Sequence, residues 1–191
     1  MVIMVKRMLL LSSSLMIMCS CCINERNTES SYSNYNRISG CKMDSTINEF
    51  RLMVPMLLDS ILMLQVDSYM VDNWRYGEGI YVSNDSEKEF LFLKVNCGRT
   101  AKELDAFILT DSISSEYKPY IVLHNVSRFV STHGSFIGMC KTEFINIYFD
   151  NNAPQKEFDS EYEQYDSLTL LYNHFIFCND TLKQIEIGYD W

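Results

Sequence analysis

Leu182-Lys183-Gln184-Ile185-Glu186-Ile187-Gly188-Tyr189 sets Ile185, Ile187 and Tyr189 on one side and Gln184 and Glu186 on the other. A period of two marks a strand with one buried and one wet face. Asn179-Asp180 just before it reads as a tight turn. The segment 168–178, with Leu170, Leu171, Tyr172, Phe175, Ile176 and Phe177, reads as the partner strand. Moving toward the N-terminus, strands are expected at 80–82, 90–95, 120–124 and 144–149, while 101–110 is open, its first half, 101–106, able to start a short helix and 107–109 reading as strand. Short turns rather than helices separate these segments, which favours an antiparallel sheet.

Residues 46–72 carry a different pattern. Ile47, Phe50, Val54, Leu57, Leu58, Ile61, Leu62 and Leu64 recur mostly at spacings of three and four, which predicts a helix face. Asp44, Ser45 and Thr46 are candidate caps, with Glu49 placed to complete a capping box. Pro55 is expected to bend or divide that helix. The fold reading is α+β, an N-terminal helical region packed on a mainly antiparallel β-sheet. The alternative is a β-sandwich with an accessory helix.

The 191 residues are 47% hydrophobic and 21% charged, a composition that suits one globular domain and excludes a disordered or collagen-like chain. Asp and Glu number 25 against 16 Lys and Arg, for a net charge of −9. That balance argues against nucleic acid as a partner, because phosphate binding needs concentrated positive charge. A protein or small-molecule partner stays open.

The first residues carry a targeting signal. Lys6-Arg7 precede an uncharged run, Met8 to Met18, the length of a signal-peptide core and too short to span a bilayer. Met1 and Met4 are both candidate starts. The stretch Met18-Cys19-Ser20-Cys21 resembles a bacterial lipobox. That resemblance implies lipidation of Cys21 and a chain held to the cell envelope, as an outer-membrane lipoprotein carrying a palmitoyl chain, with no transmembrane helix in the mature protein. Cleavage would remove Lys6 and Arg7 and move the net charge from −9 to −11. Secretion without a lipid is the alternative. Residues 1–21 are then a signal peptide, 22–40 a Ser- and Asn-rich tether, and 41–191 a single globular domain.

Beyond the N-terminal cluster stand Cys41, Cys97, Cys140 and Cys178. Their number is even, and export would bring them into an oxidising compartment, so a disulfide bond is expected with its pairing open. The sequence assigns no catalytic, cofactor-binding or metal-ligating residue. His124, His133 and His174 lack helical metal spacing. His124 or His133 with Cys140 could supply a base and a nucleophile, with a loop histidine and a structural cysteine as the plainer reading. The acidic run at 157–166 has no Gly to form a calcium loop. It is expected to lie in solvent, with Tyr162, Tyr165, Glu161 and Glu163 as a surface for a basic partner. Asn84, Asn125 and Asn179 begin Asn-x-Ser/Thr triplets, relevant only in a glycosylating host. The leading function is an exported, lipid-anchored binding protein without enzymatic activity. The alternatives are a hydrolase whose site is assembled from separate strands and a secreted, disulfide-bonded host-interaction protein.

Overall fold

A computed structural model describes residues 42–63, 71–73, 77–95, 103–149 and 160–190. The signal peptide, the tether, Cys21, Cys41 and Cys97 lie outside the described residues. Strands β1 (Thr46–Ile47) and β2 (Phe50–Arg51) form a two-residue-per-strand ribbon, followed by helix α1 (Leu58–Leu62). Then come β3 (Val71–Asn73), β4 (Gly77–Ser83), β5 (Phe90–Val95) and β6 (Leu104–Thr110). A 3-10 helix (Ser115–Tyr120) leads into β7 (Ile121–Leu123), and α2 (Lys141–Tyr148) precedes β8 (Glu161–Asp166), β9 (Leu171–Cys178) and β10 (Thr181–Tyr189).

One sheet has the order β3-β4-β5-β6-β10-β9-β8, with β7 paired to β4. Every pairing is antiparallel except β4 with β7. The architecture is therefore α+β with a mixed, mostly antiparallel sheet. Among the described residues the only other strand pairing with named strands is the β1–β2 ribbon, so the sandwich alternative finds no second full sheet.

The registers line up side chains across the sheet. Val82, Leu91, Leu109, Ile185, Phe175 and Tyr162 form one continuous inner row, and all six are buried. The next inner row runs Ile80, Leu93, Phe107, Ile187, Asn173 and Gln164, apolar on four strands and amide-bearing on the last two. Buried with this face are Phe50 and Leu52 at β2, Leu58 and Leu62 of α1, Phe129, Ile137 and Met139, and Phe144 and Tyr148 of α2. On the opposite face Tyr81, Phe92 and Ile108 form a smaller cluster with Ile113, Tyr117 and Ile121. Continuing that outer row, Glu186, His174 and Glu163 replace the apolar residues. The sheet thus has an apolar half and an acidic half on its outer face.

The β9–β10 turn is the two residues Asn179 and Asp180, with φ of 50° and 56°. Positive φ at both central positions matches the twist of a hairpin, and Asn and Asp tolerate it better than most side chains. The register shifts between Leu182 and Gln184. This bulge explains why Leu182 is buried alongside Ile185 and Ile187 despite the uneven spacing.

Two expectations are corrected. The long helix over 46–72 is replaced by the β1–β2 ribbon, a five-residue helix and β3. Asn48 adopts φ 48° between the two strands, and its backbone and side chain both bind Val130: Asn48 N donates to the carbonyl at 2.9 Å and Oδ1 accepts Val130 N–H at 2.7 Å. Met53, at φ 53°, donates its N–H to Leu104 O at 3.0 Å. Tertiary bonding therefore interrupts the helix before Pro55. Val54 and Leu57, counted into the helix face, are exposed. Second, 144–149 is not a strand. Phe144 and Tyr148 lie four apart, stack at 4.4 Å, and turn one helical face onto the sheet.

Candidate functional site

The residues expected to form a contact surface divide between the two faces of β8. Glu161 and Glu163 are 54% and 50% exposed at the side chain. Tyr165 shares their face by alternation. Tyr162 points the other way, buried against Phe149 at 5.1 Å and Phe144 at 5.9 Å. It belongs to the core. The segment 161–166 is an ordered strand rather than a solvated loop.

Tyr172 stands opposite Tyr165 on β9. Its hydroxyl donates to Glu186 Oε1 at 2.9 Å. Gly188 makes room for this: a Cβ there would stand 2.8 Å from the Tyr172 oxygen. A recess of about 210 Å³ is lined by Glu163, Gln164, Tyr165, Tyr172, Asn173 and Asp190. Two carboxylates and two phenol rings around a small cavity suit a cationic side chain, through charge and through the ring faces. The Gln164 amide is buried, and among the described residues neither its oxygen nor its nitrogen has a hydrogen-bond partner.

All three histidines hydrogen-bond carboxylates. His174, buried on the outer face, lies 3.1 Å from Glu161 and 3.8 Å from Glu163. His124 Nε2 lies 2.6 Å from Glu49 Oε1. Glu49 is thus a hydrogen-bond partner of His124 rather than a member of a helical capping box. A shallow groove lined by Thr46, Asn48, Glu49, Val130, Ser131 and Thr132 opens beside this pair.

The third pair belongs to a buried network at Asp44. Its carboxylate is fully buried and accepts the His133 backbone N–H at 2.8 Å and His133 Nδ1–H at 2.9 Å. The Tyr148 hydroxyl donates to its other oxygen. Ser135 Oγ lies 2.9 Å from the Tyr148 oxygen and 2.7 Å from Ser131 Oγ, which accepts Ser135 N–H at 3.1 Å. One direction of proton donation satisfies the chain: Ser131 to Ser135, Ser135 to Tyr148, Tyr148 to Asp44. Asn173 closes it by bonding both backbone groups of Asp44, at 2.8 and 2.9 Å. Burial, then the Asp44 charge and its hydrogen bond, push the Tyr148 pKa well above the ordinary tyrosine value.

This arrangement holds His133 much as an acid–base histidine is held. Yet its serines bond to Tyr148 and to each other. Among the described residues no hydrogen bond joins a histidine ring to a serine or cysteine. Nor do three His, Cys, Asp or Glu residues gather as a metal-binding group among them. The sequence hid this network because Asp44 reads equally well as a helix cap. Asn173 carried a usable signal, a polar residue inside the apolar run from 170 to 177.

The expected disulfide is overturned where it can be seen. Cys140 and Cys178 are free thiols. Cys178 pairs with Thr181 on one edge of β10, and Cys140 bridges Thr181 on the other. Two ladder spacings put their backbones about 10 Å apart, beyond the roughly 7 Å that a disulfide tolerates. The body offers the membrane no helix either: among the described residues none is long and apolar enough to cross a bilayer. Neither a protein-family model, nor a curated protein, nor a solved structure matches the chain.

Proposed function

We propose that the chain is an exported binding protein whose folded body takes up a basic segment of a partner on the acidic half of the sheet's outer face. The recess formed by Glu163, Asp190, Tyr165 and Tyr172 carries this reading. A lysine or arginine side chain entering it would meet carboxylate charge and aromatic faces together, while Glu161 and Glu186 extend the negative surface along β8 and β10. The net charge, −9 for the whole chain and −11 once Lys6 and Arg7 are removed, adds long-range attraction for such a partner. The lipobox-like end at Cys21 supports retention by a lipid. The exposed Asn-x-Ser/Thr triplets favour a second reading, release into a eukaryotic secretory path, and the intact mass of the mature chain separates the two.

Titration with a short lysine-rich peptide, followed by tyrosine fluorescence, tests the binding face. Removing both charges with Glu163→Gln and Asp190→Asn is expected to weaken binding about tenfold or more, the equivalent of about 1.4 kcal/mol. Raising the salt should weaken wild-type binding in the same direction. A wild-type chain indifferent to the peptide, or a double variant that binds it equally well, would sink the proposal.

A further inference from the structure

We propose that Asn125 and Asn179 are acceptors for N-linked oligosaccharide and that Asn84 is not. The three triplets are Asn84-Asp85-Ser86, Asn125-Val126-Ser127 and Asn179-Asp180-Thr181. The sheet brings all three to one end. Asn84 follows β4, Asn125 follows close on β7, which runs parallel to β4, and Asn179 sits in the β9–β10 turn.

Their side chains differ in what they are free to do. Asn84 is 2% exposed. Its Oδ1 accepts the N–H groups of Lys88 at 3.0 Å and Glu89 at 3.1 Å, and Nδ2 donates to Ser127 O at 2.9 Å. The residue is the internal brace of the β4–β5 connection, and a sugar on Nδ2 has no room in that fold. Asn125 and Asn179 are both exposed. Neither side chain hydrogen-bonds among the described residues. Asn179 also stands at the apex of a two-residue turn, where a branched substituent points into solvent.

The step is a substitution at carbon. Nδ2 attacks the anomeric carbon of a lipid-linked oligosaccharide pyrophosphate and forms the new C–N bond. The bond from that carbon to the pyrophosphate oxygen breaks, and the pyrophosphate leaves with the electron pair. The amide proton passes to a base on the membrane-bound glycosyltransferase. Nothing is oxidised or reduced. The host's secretory compartment supplies donor and enzyme, so the proposal rests on the second reading above, release into a eukaryotic secretory path.

Lys42, where the described chain begins, donates from Nζ to Ile147 O at the C-terminal end of α2. The other end of α2 lies at the β9–β10 turn, through Lys141 N–H to Asp180 O at 2.8 Å. The Asn179 turn and Lys42 therefore lie at opposite ends of α2. The recess uses the opposite ends of β9 and β10, near Tyr172 and Asp190, and stays clear of both sugars.

Translation of the full chain with endoplasmic-reticulum microsomes tests this with two readouts, protease protection and a glycosidase-sensitive mass shift. The wild-type chain is expected to be protected and to carry two glycans. Asn125→Gln and Asn179→Gln should each lose one, and the double variant both, while staying protected. Ser86→Ala, which destroys only the Asn84 triplet, should leave the count at two. A protected chain with fewer than two glycans, or a glycan surviving in the double variant, overturns the assignment. A chain that is not protected overturns the eukaryotic secretory reading and the assignment with it.

Discussion

Replacing Asp44 by alanine is expected to lower the unfolding free energy by about 3 kcal/mol. The substitution leaves the N–H and ring nitrogen of partly exposed His133 without their acceptor and strips buried Tyr148 of the group its hydroxyl serves. Tyr148→Phe should cost less, about 1 to 2 kcal/mol, because His133 still pairs with the carboxylate. The two variants also differ with pH. The folded-state pKa of Tyr148 is raised, first by burial and then by Asp44. A raised folded pKa means a stabilising contribution that is complete below the unfolded value of about 10 and lost as pH climbs beyond it. Wild-type protein should therefore lose up to about 1.4 kcal/mol per pH unit from this group above pH 10, and Tyr148→Phe should remove that component. Denaturant melts at pH 9 and pH 11 measure both effects. Parallel pH slopes for wild type and Tyr148→Phe would show that Tyr148 is not held as described.

Phe144→Ala should cost about 3 to 5 kcal/mol. Phe144 is fully buried, and its ring meets Tyr148 at 4.4 Å, Phe175 at 4.7 Å, Phe177 at 5.1 Å and Tyr162 at 5.9 Å. It is the point at which α2 engages β8, β9 and its own next turn. Truncation removes transfer energy and leaves a cavity that four rings cannot close without leaving their positions. Glu143→Ala, one residue away and exposed, should stay within about 0.5 kcal/mol. Urea midpoints of the two variants decide this. If the two cost the same, α2 is not docked by this face.

The strands were legible where alternation or a dense apolar run coincided with a turn signal. β10 and the Asn179-Asp180 turn are the clearest instances, and β4, β5 and β9 follow the same rule. Legibility failed where local pattern and tertiary bonding disagreed. Ile47, Phe50, Leu58 and Leu62 are all buried, as a helix face would have them. They reach the core from a ribbon and a short helix, because Asn48 and Met53 bind partners far away in sequence. At 144–149 the β-branched Ile145 and Ile147 suggested a strand, while the spacing of Phe144 and Tyr148 decided for a helix. For the site, the acidic character of 161–163 could be read directly. The partition of Tyr162 from its neighbours follows from period two once a strand is assumed. The recess could not be read, since Asp190 joins it only through the pairing of distant segments.

One edge of β4 is shared by two strands of three residues each: β3 covers Gly77 to Gly79 and β7 covers Tyr81 to Ser83. Neither presents a long row of ladder groups, and they run in opposite senses, β3 antiparallel and β7 parallel to β4. A foreign strand approaching this side would need continuous, uniformly directed pairing to add itself to the sheet. Splitting the margin denies it that template, so a chain rich in apolar strands gains protection against edge-to-edge aggregation from the layout of the margin itself.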